Sequence, residues 1–181
     1  MSVALMMIDF QKGIDFPSWG QRSTPEMEKV VRHLFSFCRD KAIPIIHIKH
    51  DSVLPASPYR PGQVGNDFKD CAQPMGDEKI FIKHTNNAFV KTGLDDYLKS
   101  QGITKLYMGG TLLEHCVGLA AKHAACLDYD VTLISDAVAS VEQTNGAGHL
   151  SADQIKAFLL ENFIQDYGSV VTSDEFCKKY N

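Results

Sequence analysis

The residues with the most chemistry to offer are a thiol, a carboxylate and an amine that lie far apart in sequence: Cys116, Asp9 and Lys83. An ionised thiol is a strong nucleophile, and both a neighbouring ammonium and a helix N-terminus favour the thiolate. A carboxylate beside it can take the thiol proton, so such a set can attack a carbonyl carbon and pass through a thioester. Each residue type also has a plainer use. Buried cysteines often only pack, acids at strand ends cap helices or face solvent, and lysines there are usually exposed. What decides between these uses is whether the fold gathers the three.

The elements that must do so are legible as an alternation of strands and helices. Val3 to Ile8 is continuously apolar, as a central strand covered on both faces must be, and Asp9 ends it. Ser23-Thr24-Pro25-Glu26 signals a helix start, followed by Met27, Val30, Val31, Leu34 and Phe37 or Cys38 at helical spacing. Further strands are predicted over Ile43–Ile48, Lys79–Lys83, Lys105–Met108, Val131–Ser135 and Ser169–Thr172. Thr92 caps a helix that ends at Gly102, a small-residue helix runs from about Cys116 to Leu127, and Ser151-x-x-Gln154 opens a last helix. Alanines 120, 121, 124 and 125 allow the small-residue helix close approach to the sheet or to another copy of the chain. The long connection from Asp51 to Asp77 reads as a pocket wall or lid.

The pattern implies one domain over residues 1–181, a three-layer αβα unit with a doubly wound, mostly parallel sheet. Ligands of such sheets bind beyond the carboxyl ends of the strands. Asp9 ends the first strand, Lys83 the third, and Cys116 follows the Gly109-Gly110 turn after the fourth, so all three can meet in one crevice. A glycine turn leading into a helix also has the logic of a nucleophile elbow, with backbone N–H groups facing a developing oxyanion.

Composition narrows the partners. The 181 residues are 44% hydrophobic and 22% charged, with a net charge of −4 and no long basic run, so neither nucleic acid nor an anionic membrane is expected and a small-molecule substrate is. The first apolar run is too short for a membrane span and lacks the basic lead of a signal peptide. Five cysteines with no C-x-x-C pair argue against a disulfide framework or a thiolate zinc site and suggest the reducing cytoplasm.

Four ordered motifs resemble the isochorismatase-like (cysteine) hydrolases: Met6-Met-Ile-Asp-Phe-Gln11, Phe81 to Leu94, Leu106-Tyr-Met-Gly-Gly-Thr-Leu-Leu-Glu-His-Cys-Val117, and Tyr129 to Ala139. The resemblance covers nearly the whole chain. It implies a catalytic triad of Asp9, Lys83 and Cys116, a cis peptide between Thr111 and Leu112, and an oxyanion hole formed by the N–H groups of Leu112 and Cys116. It also implies a homodimer or homotetramer. The position three before the nucleophile, usually threonine in the family, is Leu113 here, which removes a hydroxyl from the expected pocket edge.

Nicotinamidases of the same superfamily hold a metal through D-x-H near the second strand. The matching stretch here, His50-Asp-Ser-Val53, lacks that histidine, so no metal and no other cofactor is expected. Instead His50-Asp-Ser with Ser57-Pro-Tyr-Arg-Pro-Gly62 looks like the metal-free branch that includes streptothricin-hydrolase-like amidases. Phe16 and Trp19 are candidate pocket walls, or Trp19 a subunit contact, while Phe10 is either pocket wall or core. His84 and His115 adjoin the triad in sequence and are expected to support it by hydrogen bonds or face solvent, while Glu114 is either a pocket acid or a carboxylate that favours the helix N-terminus. The expected function is hydrolysis of a small amide or related C–N bond. The alternatives are vinyl-ether hydrolysis, which needs an acid but no thiol, and a non-catalytic ligand-binding module.

Overall fold

The computed structural model describes residues 2–146 and 148–181. Its centre is the predicted apolar run, β1 (Ser2–Ile8), whose alternate side chains feed opposite faces: Ala4, Met6 and Ile8 enter one core, Leu5 and Met7 the other. Around it lie β2 (Ile45–His50), β3 (Lys79–Lys83), β4 (Ile103–Thr111) and β5 (Asp130–Ala139). A short hairpin, β6 (Gln143–Asn145) with β7 (Gly148–Leu150), precedes the last strand, β8 (Ser169–Val171). The main sheet has the order β3-β2-β1-β4-β5-β8, with every neighbouring pair parallel.

Helices cover both faces, giving the expected three layers. Helix α1 (Met27–Asp40) packs Met27, Val31, Leu34, Phe35 and Cys38 on one face, joined there by Phe176 of α5 (Ser173–Lys179). On the other face lie Leu94 and Leu98 of α2 (Leu94–Ser100), the alanines of α3 (Gly118–Cys126) and Phe163 of α4 (Ala152–Asp166). Ala120, Ala121 and Ala124 are fully buried against the protein's own core, so their closeness serves the sheet and not a second copy. No helix among the described residues is long and apolar enough to cross a membrane.

Three local expectations need correcting. Ser23 and Thr24 do not cap α1. Their hydroxyls bond the Ser140 and Val138 carbonyls instead, tying the chain before α1 to the end of β5. Gly109 and Gly110 do not interrupt the fourth strand but belong to β4, in register with Met7 and Ile8 of β1. They are glycines because of closeness: at Gly110 φ is 127°, and a Cβ would collide with the Ile8 carbonyl. Finally, Cys116 is not on the helix that follows. It lies in a wide turn, Leu113–Val117, in which the Val117 N–H reaches back to the Leu112 carbonyl (3.1 Å) and His115 is non-helical (φ −122°, ψ −105°).

The Gly110 contact carries an expectation. Gly110→Ala should lower unfolding stability in urea by about 3 kcal/mol, since the added methyl meets fixed backbone in a left-handed region. A loss below about 1 kcal/mol would show that β1 and β4 can separate there.

Candidate active site

In a sheet of this order the winding reverses between β1 and β4, and that reversal opens the crevice. Asp9 sits at its floor, immediately after β1, with a left-handed backbone (φ 49°) of the kind aspartate tolerates better than most residues. Its N–H donates to the Ile48 carbonyl (2.9 Å), and its own carbonyl accepts from the Thr111 hydroxyl (2.9 Å) and the Gln11 N–H (2.8 Å). The turn is thus fixed from β2, from β4 and from its own chain.

Lys83 ends β3, two strands away from β1, so its side chain must cross over the end of β2 to reach Asp9. It does: Nζ lies 2.7 Å from Asp9 Oδ2, with the side chains 0% and 4% exposed. The same ammonium is 3.3 Å from Cys116 Sγ, 3.1 Å from the Thr85 carbonyl and 3.2 Å from His50 Nδ1. The structure therefore brings together all three residues named from sequence. Asp9 Oδ1 is buried with no hydrogen-bond partner among the described residues, which leaves one carboxylate oxygen free beside the thiol. The peptide between Thr111 and Leu112 is cis.

The electrostatics differ from the sequence reading in one respect. Burial pushes the Cys116 thiol up to about 12, with Asp9 adding to the rise and Lys83 opposing it. Lying ahead of α3 and next to a carboxylate, the sulfur rests as a neutral thiol and not as a standing thiolate. Burial likewise raises Asp9 above the ordinary carboxylate value, against the pull of Lys83. Burial, helped by Lys83, lowers His50, so that its imidazole is neutral at neutral pH.

The cavity over the sulfur has a volume of about 230 Å³ and is walled by Trp19, Leu54, Tyr59 and Leu112, with His50, Ser52, Ser57, Asn86, Thr111 and His115 supplying polar atoms. Trp19 is where the sequence placed it, fixed by its indole N–H on the Gly13 carbonyl (3.0 Å) and edge-on to Tyr59. Phe16 is not: it lines a separate groove of about 550 Å³ bordered by Lys12, Glu28 and Lys69, which none of the three central residues reaches. Leu113 is also absent from this cavity, because the turn points its side chain into the core and toward α4. Phe10 is core. Glu114 is no pocket acid, since its Oε1 accepts the Val141 N–H (2.8 Å). His84 is exposed and bonds the Asp51 carbonyl, whereas His115 stands at the cavity's exposed rim.

The long connection after β2 supplies the far wall and is held by polar side chains. Gln11, fully buried, donates to the His50 and Asn66 carbonyls (3.1 and 2.8 Å) and accepts the His50 N–H (2.8 Å). Asn66 bonds the His50 carbonyl, Asp51 Oδ1 and the Tyr59 carbonyl at 3.1, 2.8 and 2.7 Å. The sequence marks this connection as a pocket wall or lid, but not the side chains that fasten it. Their one signal was Gln11, two residues after the acid, and the need of a buried carboxamide to be satisfied on both ends.

Comparison with known proteins bears on the family and the fold. The isochorismatase domain model matches residues 3–174. The chain belongs to the isochorismatase family. A crystal structure of an isochorismatase-family protein from Chromobacterium violaceum superposes with a TM-score of 0.95 at 35% identity, covering 99% of this chain and 93% of that one. The isochorismatase family protein YrdC of Bacillus subtilis is 29% identical over 98% of this chain and 95% of its own. A streptothricin hydrolase of Streptomyces noursei is 30% identical over 77% of this chain, which spans half of that protein. As an isochorismatase-family member the protein is assigned to the hydrolases.

Two expectations follow from the site. Lys83→Met strands a buried carboxylate and should cost about 3–5 kcal/mol in urea unfolding, most of it recovered when Asp9→Asn is added. No recovery in the double variant would mean that the two groups are not coupled. The ultraviolet thiolate absorbance of the protein at neutral pH should not change on Cys116→Ser, and a difference should emerge only in strong alkali. A difference present at neutral pH would contradict a resting thiol.

Proposed function

We propose that this protein is a cysteine hydrolase cleaving a small amide or related C–N bond through a thioester on Cys116. Family membership supports a hydrolase. The finer reading is carried by one observation: a single buried ammonium, Lys83 Nζ, bridges the Asp9 carboxylate at 2.7 Å and the Cys116 sulfur at 3.3 Å beneath an open cavity.

The free Asp9 Oδ1 takes the thiol proton as Sγ attacks the carbonyl carbon, so ionisation and bond formation occur together. Lys83, fixed beside both, stabilises the negative charge as it passes from carboxylate to sulfur to adduct. The N–H groups of Leu112 and Cys116 are the proposed receivers of the tetrahedral oxyanion. Asp9 then gives its proton to the departing amine and the C–N bond breaks. A water next loses a proton to Asp9 and adds to the thioester, the C–S bond breaks, and the proton returns to sulfur. A vinyl-ether hydrolase would need only the acid, and the cavity's opening onto Cys116 favours the amide.

Incubation with a panel of small amides should add the mass of an acyl group to the intact protein, and Cys116→Ala should lose both the adduct and at least about 10³-fold in turnover. Turnover of a vinyl ether that survives Cys116→Ala, with no adduct from any amide, would overturn the reading. Asp9 must be ionised to accept the proton, and burial raises it above 3.8, so kcat/KM should fall as pH drops through a pKa higher than that of a free aspartate. An acid limb at or below the ordinary value would remove Asp9 as the base.

A further inference from the structure

We propose that the cavity over Cys116 selects an uncharged acyl group rich in hydrogen-bond acceptors, met first by the Nε2–H of His50. The proposal rests on the amide-hydrolase reading and names the substrate class of that same site.

Charge is the first argument. Of the side chains that line the cavity, Asp9 is the buried charged one, and Lys83 cancels it. The Lys83 ammonium is already engaged by Asp9, Cys116, His50 and Thr85. A ligand carboxylate lowered onto the sulfur would find no unpaired cation, and burying an unpaired charge is unfavourable.

Hydrogen-bond polarity is the second. An ammonium has only protons to offer, so His50 Nδ1, 3.2 Å from Lys83 Nζ, must present its lone pair. That fixes the tautomer: the ring proton sits on Nε2, which has no protein partner among the described residues, in a side chain lining the cavity. Two of the lining hydroxyls share this bias, whereas Thr111 spends its proton on the Asp9 carbonyl and Asn86 Oδ1 faces the Cys116 thiol as an acceptor. Ser52 and Ser57 each accept a backbone N–H, from Leu54 and Tyr59 (3.2 Å each), so the hydroxyl proton of each is left to donate. A ligand that brings acceptors and no charge fits these donors between the apolar walls of Trp19 and Leu54.

Iodoacetamide and iodoacetate are near-isosteric thiol reagents, one neutral and one anionic, and the exposed Cys126 serves as an internal reference. With labelling followed by peptide mass, the iodoacetamide-to-iodoacetate rate ratio at Cys116 should exceed that at Cys126 by about tenfold. His50→Phe should bring the ratio down by slowing iodoacetamide alone, and His50→Gln, which keeps an N–H, should restore it. Ser57→Lys, which places an ammonium at the rim, should invert the preference. A wild-type ratio at Cys116 equal to or below that at Cys126 overturns the charge argument, and so does failure of iodoacetamide to reach Cys116. A ratio unmoved by His50→Phe overturns the assignment to His50. These rates are read on the resting protein without turnover, so their failure is distinct from a missing acyl adduct, which would defeat the hydrolase reading itself.

Discussion

Two opposite charges, Asp9 and Lys83, are held almost wholly out of water at 2.7 Å, and the surroundings are arranged to make that tolerable. Removing an ion pair from water is expensive unless geometry and further hydrogen bonds compensate. Here the ammonium also meets a carbonyl, an imidazole lone pair and the sulfur, and the carboxylate's backbone is fixed from both neighbouring strands. Replacement of such a pair by apolar side chains is often neutral or stabilising in proteins, so stability alone does not account for it. In the proposed reaction its value lies in keeping a proton acceptor and a counter-charge beside one thiol whose own ionisation burial opposes.

The pair in turn dictates the backbone. Lys83 can reach Asp9 only across the end of β2, which is why His50 lies between them and becomes part of the same cluster. The sulfur reaches it from the other side only because β4 runs flush against β1 through Gly110, and because the chain then makes a wide turn before α3 begins. A standard helix start at this point would have aimed backbone N–H groups at the sulfur and lowered its pKa. Cys116 lies in the turn just ahead of α3, and in the proposed reaction its activation falls to the carboxylate.

Much of this was legible in the residues. The continuous apolar run of β1, the helical spacing in α1 and the Ser151 capping box each specify their element locally, and all three formed. The end-of-strand rule found Asp9 and Lys83 because it depends on topology alone. What stayed hidden depends on contacts distant in sequence. Gly109 and Gly110 look like a break but are demanded by a neighbouring strand, and Ser23 and Thr24 look like caps but bond residues more than 110 positions away. Lys83 becomes buried on an edge strand whose Ile80 and Ile82 are exposed, which inverts the hydropathy pattern. The α5 helix and the β6–β7 hairpin were too short for periodicity to reveal. Phe16 and Leu113 were placed in the pocket by proximity in sequence, which says nothing about the direction a turn will aim a side chain.

The wall after β2 is fastened by Gln11 and Asn66 through backbone carbonyls and one N–H, together with a single side-chain contact to Asp51. Main-chain groups are the same whatever residue carries them, so nearly all of this fastening is indifferent to the identities of the residues it grips. The segment can therefore exchange a lining side chain such as Leu54, which is largely exposed, without loosening its attachment. A change of lining at such a position would reshape the space over the sulfur while Asp9, Lys83 and Cys116 keep their places, which separates the shape of the cavity from the cluster beneath it.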